Sequence, residues 1–340
     1  MKKLLVLLLI LLACSMPIEK KIGLLKFPKA SSNTSSELEN NKKFQLGKLL
    51  FYDGILSADS SISCSSCHSS YNSFAHPGHS LSHGIRELSG DRNAPALINL
   101  AWQKTFMWDG AITRLDAQAL APIHHPREMA SSLDSVLSRI NQKWYYKELF
   151  FAATGDSVAR TQSFLQALVA FQVQLISNHS KYDSVQDGLS QFSKQEKKGY
   201  QLFKQHCKTC HQEPLFTNYQ FENNGLAVDP ILQDVGRYRI TKDPKDSFKF
   251  KVPTLRNLKY THPYMHDGRF KTLQQVIHHY TDGLIRYSNL SVSLQNRIQL
   301  STIEQTDLIA FLLTLNDRDF VYNPMYSFPK KYYFEKITKQ

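Results

Sequence analysis

The sequence predicts a mainly α-helical protein built from two tandem, related domains. Its 340 residues are about twice the usual length of roughly 150 residues for one domain, and its 42% hydrophobic content is enough for ordinary packed cores. The segments with clear hydrophobic periodicity follow the helical spacing, whereas strands have little support. The predicted helices are residues 40–51, 117–121, 131–140, 158–176, 194–205, 272–280 and 302–315.

An internal repeat indicates the two domains, because the halves align without a gap at an offset of 158 residues. The segment APALINLAWQKTFMWDGAITRL (94–115) aligns with VPTLRNLKYTHPYMHDGRFKTL (252–273), and GKLLF (47–51) has a counterpart in GYQLF (199–203). Only two copies with so long a period indicate a domain duplication rather than a solenoid. The identical pairs are Pro95/Pro253, Leu97/Leu255, Asn99/Asn257, Leu100/Leu258, Met107/Met265, Asp109/Asp267, Gly110/Gly268 and Leu115/Leu273.

The N-terminus has the composition of a bacterial export signal. Met1-Lys2-Lys3 is followed by the apolar run LLVLLLILLAC, which is too short to span roughly 30 Å of hydrocarbon as a helix. The sequence Leu11-Leu12-Ala13-Cys14 resembles a lipobox, in which the cysteine is acylated and becomes the mature N-terminus. We therefore expect a signal peptide at 1–13, a lipid anchor on Cys14, a Ser/Asn-rich tether at 14–40 and export to the bacterial periplasm. A plain secretory signal with an incidental Cys14 is the alternative.

Four of the five cysteines form two copies of one short motif. Each copy is C-x-x-C-H, the attachment pattern of c-type haem. Two thiols on one turn add to the two vinyl groups of one porphyrin, and the adjacent histidine then lies under the iron as its proximal ligand. A four-cysteine zinc site leaves the two histidines unexplained, and a thioredoxin-like redox pair lacks a βαβ pattern to house it. The sequence therefore predicts two covalent haem c groups, on Cys64, Cys67 and His68 and on Cys207, Cys210 and His211.

Each domain is expected to be cytochrome c-like and to fold around its own haem, which replaces much of the core. The predicted boundaries are 41–180 for the N-terminal domain, 181–325 for the C-terminal domain and 326–340 for a tail. The net charge of +12 arises from 41 basic and 29 acidic residues that are spread along the chain without one dominant block. This charge gives no support to nucleic-acid binding and suggests only that a partner protein presents an acidic face.

Together, the two C-x-x-C-H motifs, the repeat and the strings RNAPAL, WDG, PYMHDGRF and KVPTLRN resemble the bacterial dihaem cytochrome c peroxidase family, including its MauG-like branch. The resemblance covers roughly residues 41–320, and these motifs are specific in combination rather than singly. It implies an enzyme that reduces hydrogen peroxide to water with electrons from a small c-type cytochrome or cupredoxin. Family members are often dimers, so a homodimer is an option.

The resemblance implies that the first haem, on Cys64, Cys67 and His68, is the one that reacts with peroxide. In the family, a distal histidine that can leave the iron precedes the R-N-x-P segment. His83 stands nine residues before Arg92 and matches it, at a slightly longer interval than the family pattern. The alternatives that stay open are His76, His79 and a five-coordinate iron.

The resemblance also implies a proton-transfer pair in the string QALAPIHHPREM (118–129). Peroxide cleavage needs a group that takes a proton from one oxygen and gives it to the other. Glu128 matches the family's catalytic glutamate, and Gln118, ten residues earlier, matches its polar partner. Without the family, a glutamate on a loop is most often a surface residue.

The second haem, on Cys207, Cys210 and His211, is implied to be the site of electron entry and storage. Its sixth ligand lies fourteen residues after the histidine of H-D-G, and this count from His266 reaches Tyr280. Tyrosine is the MauG-like ligand and methionine is the ligand of typical peroxidases; a phenolate lowers the reduction potential, whereas a thioether raises it. The other candidates are Met265, His278 and His279.

Two more assignments depend on the resemblance. Trp108 matches a tryptophan that relays electrons between the haems, although the same residue can be a packing aromatic. Asn93, Thr261 and Pro263 match positions that bind a calcium ion at the domain interface through one side chain and two backbone carbonyls.

The sequence leaves two other functions open. A MauG-like dihaem oxidase modifies side chains of a partner protein, and a tyrosine ligand favours it. A non-enzymatic dihaem electron carrier keeps both irons six-coordinate. Glu128 and Gln118 argue against the carrier, because a carrier has no use for a proton-transfer pair.

Overall fold

The structure is a computed structural model that describes residues 27–28, 30, 41–76 and 78–330. The predicted signal peptide, Cys14, most of the tether and the predicted tail from residue 331 onward lie outside the described residues. In the part that is described, no helix is both long enough and apolar enough to cross a membrane.

The described chain is mainly helical, as the sequence predicts. The α-helices, named α1 to α13 in order, are Asn41–Tyr52, Cys64–Cys67, Leu115–Gln118, Leu120–His124, Leu133–Gln142, Trp144–Thr154, Thr161–Gln172, Lys181–Gln186, Lys194–His206, Tyr238–Thr241, Leu273–Asp282, Thr302–Leu313 and Arg318–Val321. Short 3-10 turns cover Gly54–Leu56, Ser70–Asn72, Ile85–Glu87, Leu100–Trp102, Pro244–Asp246 and Val292–Leu294. Strands β1 (Phe221–Glu222) and β2 (Phe250–Lys251) pair antiparallel, with Phe221 opposite Lys251.

The predicted helices differ from the structure at 117–121, and helices α2, α6, α8, α10 and α13 are absent from the prediction. The helix predicted at 117–121 is two short helices, α3 and α4, because Pro122 has no N–H to donate to the Gln118 carbonyl and continue the first helix. Helix α6 is absent from the prediction because its sequence, WYYKELFFAAT, has apolar residues on several sides and no single apolar face. The remaining predicted helices are present with ends that differ by a few residues.

Each half of the chain contains one closely packed helix pair, α1 with α7 and α9 with α12. Gly47 of the string GKLLF and Gly199 of the string GYQLF lie where these helices cross. A Cβ atom on Gly47 would overlap the Ala167 carbonyl oxygen, and one on Gly199 would overlap the Asp307 carbonyl oxygen. The repeated glycine therefore permits the same close helix crossing in both halves.

The duplication is also visible in the loops of the repeat. Isolated antiparallel bridges join Phe106 to Ile112 and, 158 residues later, Tyr264 to Phe270. Met107 and Met265 each lie between the two residues of their own bridge. Both adopt a left-handed backbone, with φ of 67° at Met107 and 76° at Met265. The structure thus confirms two tandem domains of related construction.

Each half has its own hydrophobic core, and the last described segment of the chain packs against the core of the N-terminal half. Phe171 lies in an N-terminal cluster that also includes Phe320 and Tyr326 from the end of the described chain. Phe311 lies at the centre of the C-terminal cluster. The segment with Phe320 and Tyr326 therefore links the C-terminal half to the N-terminal half, in addition to the interface between them.

We expect Gly199→Ala to destabilise the protein by about 1–3 kcal/mol or more, because the added methyl group forces α9 away from α12. Denaturant unfolding of the haem-loaded protein, followed by circular dichroism, measures the change in the free energy of unfolding. The matched control is Lys198→Ala, at an exposed position of the same helix. Equal stability of the two variants would contradict the role given to the close crossing.

Candidate haem sites and the interface between them

The histidines of the two C-x-x-C-H motifs are held in the same way. Each imidazole faces two backbone carbonyl groups, one of which belongs to the repeat pair Pro95/Pro253. His68 faces the carbonyl oxygen of Phe74, at 2.8 Å, and that of Pro95. His211 faces the carbonyl oxygens of Phe216, at 3.2 Å, and Pro253, at 3.1 Å. Because Nδ1 donates its proton to a carbonyl, Nε2 keeps the lone pair that a metal requires. Burial lowers the pKa of both imidazoles to about 4, so the rings are neutral.

The four cysteines of the motifs also fit haem attachment. None of these described cysteines is in a disulfide, and Cys64 and Cys67 lie on the single turn of α2. Burial raises the pKa of the thiols of Cys64 and Cys207 to about 12. The donor set of each motif, two thiols and one neutral imidazole, is the set that a c-type haem requires.

Glu128 lies beside the first attachment site. The Glu128 carboxylate is close enough to Cys67 to raise the pKa of that thiol, and the sulfur of Cys67 lies 3.7 Å from the His83 carbonyl oxygen. The backbone N–H of Ile85 donates to the Glu128 carbonyl oxygen at 2.8 Å. A Cβ atom on Gly84 would overlap the backbone at Glu128, so glycine lets the His83 loop approach this closely. The structure therefore brings Glu128, Cys67 and the His83 loop together.

The surroundings of Glu128 favour its neutral form. Burial raises the pKa of the carboxyl group, and nearby Asp91 raises it further, whereas His125 lowers it. The His125 Nδ1 atom lies 3.6 Å from Glu128 Oε1. A carboxyl group whose pKa moves up towards neutrality is suited to proton exchange.

Gln118 contacts the loop that carries Trp108. Its Nε2 atom lies 3.9 Å from the sulfur of Met107, the residue next to Trp108. The contact places Gln118 beside the repeated loop, and its role as a polar partner of Glu128 stays a prediction.

The three candidates for the distal ligand form a row of rings. The centroids of His76 and His79 are 5.4 Å apart, and those of His79 and His83 are 5.1 Å apart. His76 is close enough to His68 to lower the pKa of that ring, while His83 Nδ1 lies 3.5 Å from a carboxylate oxygen of Glu87. The choice of His83 stays a prediction.

A buried ion pair joins the two halves. Arg92 Nε and Nη2 donate to the two carboxylate oxygens of Asp234 at 2.6 and 2.8 Å, and Nη1 donates to Asp109 at 2.7 Å. The Asp109 and Asp234 side chains are only 5% and 3% exposed. Arg237, from the C-terminal half, also donates to the Asp109 carbonyl oxygen at 3.0 Å. The loop that carries Trp108 is therefore fixed from across the interface.

Trp108 is hydrogen-bonded to both halves. Its indole Nε1 donates to the Asn93 carbonyl oxygen at 2.8 Å, and its own carbonyl oxygen accepts from the Lys251 backbone N–H at 2.7 Å. The Asn93 N–H in turn donates to the His266 carbonyl oxygen at 2.7 Å. Trp108 thus occupies a fixed position in the interface, which suits the predicted relay.

The predicted calcium ligands lie near the same interface. The Asn93 side chain is buried, and its Nδ2 atom donates to the Ser80 carbonyl oxygen at 3.0 Å. Among the described residues, no group of three or more His, Cys, Asp or Glu side chains is arranged to hold a metal ion. The site predicted from Asn93, Thr261 and Pro263 uses none of these residue types, and it stays a prediction.

At the second attachment site, the four candidates for the sixth ligand have different surroundings. Tyr280 is close enough to Cys207 and Cys210 for these thiols to raise its pKa, and burial raises that pKa to about 12. His279 Nε2 lies 3.0 Å from the Asn224 carbonyl oxygen. The two remaining candidates are Met265, whose sulfur accepts a hydrogen bond from Asn224, and the exposed His278, which pairs with Asp282.

Comparison with known proteins agrees with this arrangement. A family model described as di-haem cytochrome c peroxidase matches residues 41–191, and one described as cytochrome c matches residues 196–316. The methylamine utilization protein MauG of Methylophilus methylotrophus is 36% identical over 81% of this chain and 82% of its own length. The chain belongs to the di-haem cytochrome c peroxidase family.

Two further similarities support membership of this family. The cytochrome c551 peroxidase of Nitrosomonas europaea is 32% identical over 82% of this chain and 80% of its own length. A crystal structure of a MauG-like protein associated with microbial copper homeostasis is 31% identical, with a TM-score of 0.78, and covers 90% of this chain and 99% of that one.

The sequence pattern did not single out several residues that build the site of this dihaem family member. Asp234 and Lys251 are examples, because a lone aspartate or lysine in a loop carries no local signal. Lys251 is nevertheless half-buried: its Nζ atom donates to the Thr105 carbonyl oxygen at 2.6 Å and to Gln103 Oε1 at 2.9 Å, and burial lowers its pKa to about 7. Both residues act across the interface.

We expect Asp234→Ala to lower the free energy of unfolding by roughly 3–5 kcal/mol, because it leaves part of the buried Arg92 charge uncompensated. Denaturant unfolding of the dihaem protein measures the change. The matched control is Asp156→Ala, which breaks an exposed pair with Arg160 and should cost at most about 1 kcal/mol. An equal effect of the two substitutions would show that the interface does not depend on this ion pair.

Proposed function

We propose that this protein is a dihaem cytochrome c peroxidase that reduces hydrogen peroxide to water with electrons from a small c-type cytochrome or cupredoxin. One observation carries the proposal: a half-buried carboxyl group with a raised pKa, that of Glu128, lies beside the first haem attachment site. An electron carrier has no need for a proton-transfer group at that position. Relatives that are named cytochrome-c peroxidases support the same function.

The reaction consumes one hydrogen peroxide, two electrons and two protons and releases two molecules of water. When bound, the haem on His68 supplies the iron at which peroxide is cleaved, and the haem on His211 supplies an electron store. Glu128, in its ionised form, takes a proton from one peroxide oxygen and delivers it to the other, so that the departing oxygen leaves as water. Trp108, held in the interface by hydrogen bonds to Asn93 and Lys251, provides an aromatic relay between the two sites.

The main test is steady-state turnover of peroxide with a reduced small cytochrome c. We expect turnover by protein that carries both haems and calcium, either as isolated or after reduction of the second haem. A fully loaded sample that shows no turnover in either state would overturn the proposal.

Replacing Glu128 by Gln should lower turnover by about 10²-fold or more, because the amide cannot carry the proton. Both haem spectra should stay in place, since Glu128 is not a haem ligand in this proposal. The matched control is Glu148→Gln, at an exposed glutamate of α6 in the same half.

Glu128→Gln should also change how kcat/KM depends on pH. The ionised form of Glu128 is the proton acceptor, so kcat/KM should fall as the pH drops through the raised pKa of this group. The acidic limb should therefore lie above the ordinary glutamate pKa of about 4.3 and be missing from the profile of E128Q. An unchanged rate and profile in E128Q would remove Glu128 from the mechanism.

A MauG-like oxidase that modifies a partner protein is the second candidate. The position of Tyr280 beside Cys207 and Cys210 favours it, as does the 36% identity with a MauG protein. Peroxide-driven oxidation of side chains in an added protein, found by mass spectrometry in the absence of turnover with cytochrome c, would decide for this candidate.

The proposal extends to location and assembly. The N-terminal sequence supports export to the bacterial periplasm, with a lipid on Cys14 as the membrane anchor. The family resemblance supports a calcium ion bound by Asn93, Thr261 and Pro263, and a homodimer. Mass spectrometry of the mature N-terminus, calcium analysis and sedimentation each test one of these points.

A further inference from the structure

We propose that Tyr71, Tyr260 and Tyr322 form a surface site from which electrons reach the first haem site when no donor protein is present. Under that condition Tyr71 and Tyr322 become covalently coupled. The inference rests on the proposed function only in that hydrogen peroxide is reduced at the first haem site. These three residues, the tyrosine cluster, have no assigned role in the sequence motifs described above.

The rings of the tyrosine cluster are in contact at the surface. The centroids of Tyr71 and Tyr322 are 6.4 Å apart, and those of Tyr322 and Tyr260 are 6.3 Å apart, which is within the usual range of aromatic pairs. Tyr71 and Tyr322 are 61% and 55% exposed, and no other tyrosine is exposed in the part of the chain that the structure describes. Single exposed aromatic residues are common, but here both exposed tyrosines share one place on the surface.

The backbone brings the tyrosine cluster together from three segments of the chain. Tyr71 lies in the same 3-10 turn as Asn72, and the Asn72 Nδ2 atom donates to the Tyr260 carbonyl oxygen at 3.3 Å. Tyr322 directly follows helix α13. A hydrogen bond to the main chain and the end of a helix therefore hold the three rings in one place.

The tyrosine cluster is also connected to the first attachment site. Tyr71 stands three residues after His68, and His68 Nδ1 faces the Phe74 carbonyl oxygen at 2.8 Å. Phe74 belongs to the N-terminal hydrophobic cluster. Both Tyr260 and Cys64 pack against that hydrophobic cluster. A path of packed side chains therefore leads from the first attachment site to the tyrosine cluster.

The surroundings of the tyrosine cluster favour loss of a proton together with an electron. A tyrosine is protonated at neutral pH, so its oxidation requires the phenolic proton to leave as well. The exposed side chains of Tyr71 and Tyr322 can release this proton to water. The Arg318 guanidinium carbon lies 5.9 Å from the centre of the Tyr322 ring, and Lys259 Nζ lies 6.0 Å from that of the Tyr260 ring. These positive charges repel the charge of an oxidised ring and thereby favour release of its proton.

The coupling reaction balances with hydrogen peroxide as its only other reactant. Without a donor, reduction of one hydrogen peroxide to two molecules of water takes two electrons and two protons from the protein. Tyr71 and Tyr322 each supply one electron and the phenolic proton. Their rings then join through a carbon–carbon bond between the positions ortho to the oxygens, and the hydrogens at these carbons move to the oxygens to restore both phenols. Exposed side chains change rotamer rapidly, so the two rings can approach from a centroid distance of 6.4 Å to bonding distance. The product is one dityrosine.

The C-terminal half contains a matched reference pair. The ring centroids of Tyr182 and Tyr200 are 6.2 Å apart, nearly the same distance as in the exposed pair. Tyr182 is only 2% exposed, and Tyr200 packs against the same C-terminal core. Both hydroxyl groups donate to Glu213 Oε1, at 2.5 and 2.7 Å. Ring spacing alone therefore cannot distinguish the two pairs, whereas exposure and the half of the chain can.

The test treats the protein that carries both haems with a small excess of hydrogen peroxide and no donor. Mass spectrometry of proteolytic peptides locates the cross-links, and dityrosine fluorescence measures their yield. We expect a cross-link between the peptides of Tyr71 and Tyr322 and none between those of Tyr182 and Tyr200. Reduced cytochrome c in excess should lower the yield several-fold, because it supplies the two electrons instead.

Two variants identify the source of the dityrosine. Tyr71→Phe should abolish the cross-link and most of the fluorescence, while both haem spectra stay as in the wild type. The matched control is Tyr287→Phe, at a half-buried tyrosine of the C-terminal half, which should leave the yield unchanged.

The inference alone is overturned if the wild type turns over peroxide with cytochrome c but forms no cross-link between Tyr71 and Tyr322. It is also overturned if Tyr182 and Tyr200 couple to the same extent, or if Y71F keeps the yield of the wild type. Absence of both turnover and cross-link overturns the proposed function and the inference together. A cross-link without turnover supports the inference and overturns the proposed function.

Discussion

The guanidinium of Arg92 lies between two carboxylates, Asp109 of its own half and Asp234 of the other, and the relative position of the two haem sites depends on this contact. Both carboxylates are almost fully buried, so neither half presents a stable surface without the other: separation would leave charges in an apolar setting without partners. A bidentate contact also fixes orientation, because the planar guanidinium meets both oxygens of Asp234 at once. The two sides of the interface are therefore held in one relative orientation.

That orientation matters because the residues joined by the ion pair are adjacent in sequence to the residues that connect the sites. Asp109 follows Trp108, and Asn93 follows Arg92, so a shift of Arg92 would move both partners of the Trp108 hydrogen bond. On the other side of the interface, the ring of Phe250 stacks on His266 with centroids 3.7 Å apart, and Arg92 lies 5.6 Å from the centre of the Phe250 ring. Charge, hydrogen bonds and stacking thus fix one set of distances, on which electron transfer between the haems depends.

The sequence predicts those features whose physical causes are local. A C-x-x-C-H motif needs five adjacent residues, and the glycines at helix crossings recur in a recognisable string. The contact between Arg92 and Asp234 joins residues 142 positions apart in the chain, and no sequence pattern around Asp234 predicts it. Likewise, counting from His266 reaches Tyr280 but says nothing about its burial beside Cys207 and Cys210, because the count fixes a place on α11 and not the residues that pack around it. The family resemblance supplied Glu128, and the structure supplied its neighbours Cys67 and Gly84.

The repeat distinguishes the features that both halves share from the features that differ between the two sites. Met107 and Met265 occupy equivalent positions, have the same left-handed backbone and each accept a hydrogen bond from a carboxamide, that of Gln118 in one half and of Asn224 in the other. A side chain with the same surroundings in both halves belongs to the common construction, which argues for Met265 as a packing residue rather than a ligand. The two sites differ where no such equivalence exists: a carboxyl group beside the first and a tyrosine beside the second. In the proposed function, the first is the site of proton transfer and the second is the site that holds an electron.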